Sequence, residues 1–403
     1  MTFQVNKEDG LFYRQSLFDQ AKRVVIKVGS AVLTNDNGLD ATIIDNIARQ
    51  VSFLQSTGRE VILVSSGAVA AGRKRLGIVK TAHEELKVKQ ALAATGQGLL
   101  MQAYEQAFAE RQQAVAQVLL THGDLSNRGR YLNVRNTILT LFEFGVVPII
   151  NENDTVSAEE LRFSDNDTLG ALMTNMIGAD MFIILTDVDC LYTGNPSQDP
   201  TAKPIYTIAS ITRDIEKMAG QATSAVGTGG MMAKIRAAKM VAACGGCSFI
   251  GPGKHPDILQ ALFSGEMVGT FFLPGQGKIN RRKHWIAYVL KPQGFLVLDN
   301  GARRALVEQG KSLLPSGITE VRGSFPVGAP VHCLDFEGAV IAAGLSNYGS
   351  VELERIKGRK TKEIITILGR NEHDEVIHRD NLVLLGTEAR PSQAALQEGR
   401  SAS

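Results

Sequence analysis

Between residues 23 and 275, short apolar runs alternate with segments whose apolar residues recur at helical spacing. That alternation restricts the fold more than any other feature of the chain. Val24-Val25-Ile26-Lys27-Val28 reads as a buried strand ending in the turn Gly29-Ser30. Ile43, Ile47, Val51 and Leu54 then share one helical face, and Gly58 stops the helix. Val61-Ile62-Leu63-Val64 is the next strand, closed by Ser65-Ser66-Gly67. A long helical stretch covers about 84–110, and 115–120, 146–150 and 182–186 are strand-like. Strands alternating with helices imply βαβ units. The expected fold is α/β, a three-layer αβα sandwich with a mainly parallel sheet. Ligands of such sheets sit beyond the carboxyl ends of the strands, where this chain places its polar clusters.

The pattern changes near residue 276. Beyond it, short β-like runs are broken by Gly and Pro, as in Gly294-Phe295-Leu296-Val297-Leu298, so a small, mostly-β module is expected. The expected division is an N-terminal extension at 1–20, a catalytic domain at 21–275, a linker and β module at 276–388, and a disordered tail at 389–403. The linker is centred on Pro274-Gly275-Gln276-Gly277. With 44% hydrophobic and 21% charged residues, the chain can bury a sizeable core. Residues 276–403 hold 18 Lys/Arg against 14 Asp/Glu, which leaves that segment at +4 within a chain of +2. This charge does not by itself predict a nucleic-acid partner.

The four cysteines include one close pair, Cys244-Gly-Gly-Cys247, with no second pair to complete a zinc ribbon. Small packing residues between a helix and a strand are the simpler reading. Few cysteines, no apolar run long enough to span a membrane and no secretory signal in the first twenty residues make the cytoplasm the expected compartment.

Four polar clusters could carry chemistry. In Lys27-Val28-Gly29-Ser30, a lysine inside an apolar strand is costly to bury unpaired, and Gly29 lets backbone N–H groups approach an anion. An edge-strand lysine reaching solvent would look the same. Ser65-Ser66-Gly67-Ala68 and the small residues to Gly72 could form an anion-binding helix N-terminus or serve close helix–sheet packing. Asn151-Glu152-Asn153-Asp154, directly after a strand, and Asp165-Asn166-Asp167 could bind an ammonium group and orient basic residues, or act as turn and cap residues. Thr228-Gly229-Gly230-Met231-Met232-Ala233-Lys234 could cradle polyphosphate, without being a Walker motif, or be a glycine hinge before an ordinary helix. Thr186-Asp187, with Tyr192 nearby, closes a strand in a manner suited to a nucleoside. Phosphoryl transfer needs positioning and positive charge, which two lysines and glycine-rich backbone provide. No Ser/His/Asp arrangement, cysteine nucleophile or metal-spaced histidine pair is evident.

These strings, VVIKVGSAVLT, VILVSSGAVAAGR, VVPIINENDTV, FSDNDTLGALM, ILTDVDCLYT and VGTGGMMAKIRAA, resemble the amino acid kinase family over about 22–388. The NEND and DND runs point to the branch that phosphorylates L-glutamate. The stretch from Gly294 resembles a PUA domain, a pseudo-barrel that elsewhere binds RNA. The resemblance implies that Lys27 and Lys234 are catalytic cations on ATP phosphates and that Asp165 orients both lysines. It gives glutamate to Ser66, Gly67, Asp154 and Asn166, with Asp167 beside the substrate. ATP would also meet Gly29, Thr186, Asp187, Thr228, Gly229, Gly230, Met231, Met232 and Ala233. Mg²⁺ would arrive mainly with the nucleotide, with no metal ligated by protein alone.

The implied product is glutamyl 5-phosphate, in the first step of proline synthesis. The resemblance also implies feedback inhibition by proline, a separate reductase that takes the product, and a homo-oligomer (dimer or tetramer). The extension of about twenty residues departs from the family pattern. Two other readings stand beside this one: another carboxylate or carbamate kinase of the same fold, and an RNA-binding regulator with a vestigial kinase domain.

Overall fold

The first of the chain's two units, Met1–Ile279, is organised by eight strands. They are β1 (Arg23–Val28), β2 (Glu60–Ser65), β3 (Val115–Leu120), β4 (Val147–Glu152), β5 (Met181–Thr186), β6 (Thr207–Ile208), β7 (Cys247–Pro252) and β8 (Thr270–Phe272). They pair in the order β6-β8-β7-β5-β1-β2-β4-β3. Every neighbouring pair is parallel except β7 with β8. This computed structural model describes residues 7–79, 81, 84–157, 165–196, 198–221, 230–275, 281–369 and 373–385. The anticipated tail at 389–403 and part of the anticipated linker lie outside those residues.

Because side chains alternate across a strand, β1 serves two faces. Val24, Ile26 and Val28 enter a core shared with α1 (Lys7–Gln20), α2 (Ala41–Ser56) and later helices. Val25 and Lys27 point to the opposite face. Asp40 starts α2 by accepting from the N–H groups of Thr42 and Ile43 at 3.1 and 3.3 Å. On the apolar stripe of α2, Ile47, Val51 and Leu54 are fully buried and Ile43 is partly buried.

Residues 1–20 read as an extension ahead of the first strand, yet α1 is part of the core. Phe18 is wholly buried and meets Phe271 edge-on at 5.0 Å. Arg14 is buried too. Its guanidinium donates to the carbonyls of Glu266 and Val268 at 3.2 and 3.5 Å and lies over the rings of Phe18 and Phe271. Desolvation lowers its pKa to about 10, so it remains charged at neutral pH. A mixed-charge segment hid this role because its buried face rests on a few side chains and no apolar run.

The small residues after Ser66 do select close packing, but against a helix and not the sheet. Helix α3 (Ala68–Leu76) crosses α4 (Leu86–Ala109) with backbone touching backbone. A Cβ on Gly96 would sit 1.8 Å from the Ala68 carbonyl oxygen, and one on Gly72 would sit 1.9 Å from that of Leu92. Neither neighbour is a side-chain tip that could swing away. Gly96→Ala is therefore expected to cost about 2 kcal/mol or more, read as a lower urea midpoint. An unchanged midpoint would mean the helices do not cross this closely.

The second unit, Asn280–Ser403, holds β9 (Gly294–Leu298), β10 (Ile318–Arg322), β11 (Pro330–Leu334), β12 (Val340–Leu345) and β13 (Leu382–Leu384). They pair in the order β10-β9-β11-β12-β13, with only β9 and β11 parallel. Irregular register at Val297/Leu298 and Cys333/Leu334 bends the sheet. Its inner face buries Leu296, Leu298, Val331 and Cys333. This is the small β-rich module expected. Among the described residues, no helix is long and apolar enough to cross a membrane.

Candidate active site

Lys27 belongs to β1, which lies between β5 and β2 inside the sheet, so it is not an edge lysine reaching solvent. Only 7% of it is exposed, a costly position for an unpaired ammonium. Its partner comes from α5 (Asn166–Ile177), which lies on that face. Gly170 lets α5 settle there. A Cβ at that position would come 2.5 Å from the Phe182 ring and 3.6 Å from Lys27 Cβ. One turn earlier, the fully buried carboxylate of Asp167 meets Lys27 Nζ at 2.6 Å with one oxygen. Its other oxygen accepts from Lys234 Nζ at 3.2 Å. Lys234 is on α6 (Met231–Ala243) and is itself buried. Two lysines separated by most of the domain's sequence thus converge on one carboxylate. Burial alone would raise the Asp167 pKa. The charges of Lys27 and then Lys234 outweigh it, leaving the group below its ordinary value.

The expected division of roles within Asp165-Asn166-Asp167 is corrected here. Asp165 was to orient the lysines, with Asp167 beside the substrate. The carboxylate between the ammonium groups is that of Asp167. Asp165 has extended backbone and is the N-cap of α5, its side chain accepting from the Thr168 N–H at 2.7 Å. A cap side chain folds back over its own helix terminus, whereas Asp167, two residues into the helix, projects onto the sheet. The capping role left open for this run therefore belongs to Asp165.

Asn166, at the first helical position, reaches across the strand ends. Its Nδ2 lies 3.0 Å from Ser66 Oγ, 3.2 Å from the Ser65 carbonyl oxygen and 3.0 Å from Asn151 Oδ1. Asn151 was expected just after its strand. It lies within β4, which runs to Glu152 because Asn151 and Glu152 continue the pairing with Leu119 and Leu120. Gly67 opens α3 at φ +106, a backbone state glycine adopts without Cβ strain, and so turns the chain directly after Ser66. Asp154 lines a cleft of about 320 Å³ together with Gln97, Gln117 and Asn153.

On the anticipated nucleotide side, the Gly29 N–H donates to the Leu185 carbonyl at 3.0 Å, tying the end of β1 to β5. A Cβ at Gly29 would come 3.8 Å from Lys27 Nζ, so this turn lies directly beside that ammonium. Thr186 ends β5 and its hydroxyl donates to Asp187, which is exposed. Gly230 is the N-cap of α6 without a side-chain cap, followed by Met231, Met232 and Ala233 in the first turn. Thr228 and Gly229 lie outside the described residues. The lysine ammonium groups and the backbone N–H groups at the start of α6 are donors, suited to phosphate oxygens, whereas the Gly29 N–H is taken by Leu185. Among the described residues, no three His, Cys, Asp or Glu side chains group as a protein metal cage would require.

Two polar residues of α4 were missed. Gln97 Oε1 accepts from Asn151 Nδ2 at 3.0 Å, and Tyr104 OH pairs with Ser65 Oγ at 3.0 Å. Burial pushes the Tyr104 pKa up, keeping it a neutral phenol. The available signal for Gln97 was its neighbour Gly96, a glycine inside a long helix that marks a close approach.

Residues 22–250 match the amino acid kinase family and residues 294–368 match the PUA domain. A glutamate 5-kinase from Desulfotalea psychrophila is 56% identical over 372 residues, covering 92% of this chain and 99% of that protein. One from Geobacter sulfurreducens is 51% identical, covering 92% of this chain and all of that protein.

Proposed function

The chain belongs to the amino acid kinase family, and from that premise we propose how its residues divide the work of phosphorylating glutamate. The core reaction is ATP-dependent phosphorylation of the side-chain carboxylate of glutamate. Convergence of Lys27 and Lys234 on Asp167, next to Asn166 and Ser66, is the observation that carries the division of roles. Lys27 and Lys234 hold the phosphoryl oxygens and offset the charge that builds on them during transfer. Asp167 keeps both ammonium groups on one point. Ser66, Gly67, Asp154 and Asn166 receive the amino acid, and Asp154 supplies the carboxylate for its ammonium.

The attacking group is already ionised near neutral pH, so no general base is required. Gly29, Thr186, Asp187 and the segment 228–234 receive the nucleotide. The reaction uses a divalent metal, and the donor character of the site favours Mg²⁺ held by phosphates and water. When bound, that ion neutralises phosphate charge. Loss of Asp165 is expected to weaken the α5 terminus more than the chemistry.

The product is an acyl phosphate, which suits handover to a separate NADPH-dependent reductase. Inhibition by proline, a cytoplasmic location and a homo-oligomer complete the proposal, supported by the family resemblance. Hydroxamate trapping tests it. With ATP and L-glutamate the hydroxamate should accumulate, and added proline should suppress it. ADP release should be absent with aspartate, acetylglutamate or carbamate. Equal turnover of another of these acceptors would reject the substrate assignment.

A further inference from the structure

Two backbone groups reveal the polarity of a chain of side-chain amides behind the pocket proposed for the amino acid, and Gln97 shares in holding it. The Ser65 carbonyl can only accept, so the Asn166 atom 3.2 Å away is its nitrogen. That nitrogen also faces the Asn151 side chain at 3.0 Å, where the facing atom must be oxygen. The Glu152 N–H can only donate, and it donates to the same oxygen at 2.9 Å. Asn151 therefore turns its NH₂ the other way, into Gln97 Oε1 at 3.0 Å. Flipping any one amide would set like groups face to face.

The chain's far end is held firmly. Gln97 follows Gly96, whose backbone packs against Ala68 at the start of α3. The helix that carries the acceptor is thus locked to the helix that begins beside Ser66. At the near end, the three side-chain hydrogen bonds of Asn166 all use Nδ2, and its Oδ1 accepts from no described residue. The amide polarity leaves that oxygen as an acceptor for an incoming donor.

We propose that Gln97 is a positioning residue for the amino-acid substrate. It acts through Asn151 to keep the Asn166 oxygen turned toward the substrate ammonium. The proposal rests on reading this pocket as the glutamate site. Without an acceptor at position 97, Asn151 loses one of the bonds that fix its orientation. A flipped Asn151 would present NH₂ to the NH₂ of Asn166, and Asn166 would then offer a donor where an acceptor is required. The chemistry at Lys27 and Lys234 lies outside this chain of amides and should not change.

The test is steady-state kinetics on the full chain with Gln97→Met, similar in length and without a strong acceptor. The KM for glutamate should rise about tenfold, with kcat within about threefold and the KM for ATP within about twofold of the parent. Gln97→Glu, which keeps an oxygen toward Asn151, should recover most of the loss. In an Asn151→Ala background, Gln97→Met should add less than about twofold, because its route is already cut. An unchanged glutamate KM, a matching rise in the ATP KM, no recovery with Gln97→Glu, or full additivity with Asn151→Ala would each overturn the proposal. A parent enzyme that fails to phosphorylate glutamate would instead reject the pocket assignment.

Discussion

Replacing Lys234 by methionine is expected to lower kcat for glutamate phosphorylation by about 10³-fold, the scale reached when one preorganised charge is removed from a transferring group. The KM for glutamate should move by less than about threefold, because the pocket proposed for it draws on Ser66, Asn166 and Asp154 and not on Lys234. The fold should survive. Methionine has similar length, and Asp167 keeps its 2.6 Å partner in Lys27. The side chain is 8% exposed, so solvent cannot replace the missing charge. ADP release under saturating substrates measures the effect, with circular dichroism as the check on folding. A variant within tenfold of the parent rate would remove Lys234 from the catalytic group and leave Lys27 to act alone.

Asp167→Asn should do damage of two kinds. The substitution keeps the shape but leaves two buried ammonium groups around a neutral amide, whose NH₂ would point a donor at one of them. Breaking a buried charge arrangement in this way is expected to destabilise the chain by about 3 kcal/mol. Misplaced lysines should also slow turnover by about 10²-fold. The pH dependence has a definite sign. A carboxylate whose folded pKa lies below its unfolded value adds stability that is complete above the unfolded pKa and is lost as pH falls through the folded one. The gap in urea midpoint between parent and Asp167→Asn should thus be constant at neutral pH and shrink below about pH 4. A gap that widens on acidification would contradict the ion-paired state of Asp167.

Much of the architecture was legible because it is a property of local pattern. Apolar runs of strand length, separated by helical periodicity, specify strands and helices with both sheet faces covered. The six motif strings, each at a strand end or helix start, carried the family. The change of texture near residue 276 marked a separate β-rich module. The least legible parts depended on phase or distance. Asp165 and Asp167 are both good cap residues, and shifting the helix start by one residue turns every side chain by about 100°. Sequence pattern could not say which of the two would cap and which would face the lysines. Gln97 and Asn151 are 54 residues apart and meet because the packing of the fold brings α4 to the end of β4. Helix α1 shows the same limit, since the burial of Arg14 requires carbonyls some 250 residues downstream.

What the sequence determined alone was the α/β class, the order of the elements, the family and the residue types available for phosphoryl transfer. All of these follow from local periodicity and short motifs. Only the tertiary structure decided that Lys27 is interior, that Asp167 joins it to Lys234, and that Gln97, Asn151 and Asn166 form one chain of amides. Helix phase, strand neighbours and close helix contact set those relations, and each depends on atoms far apart along the chain.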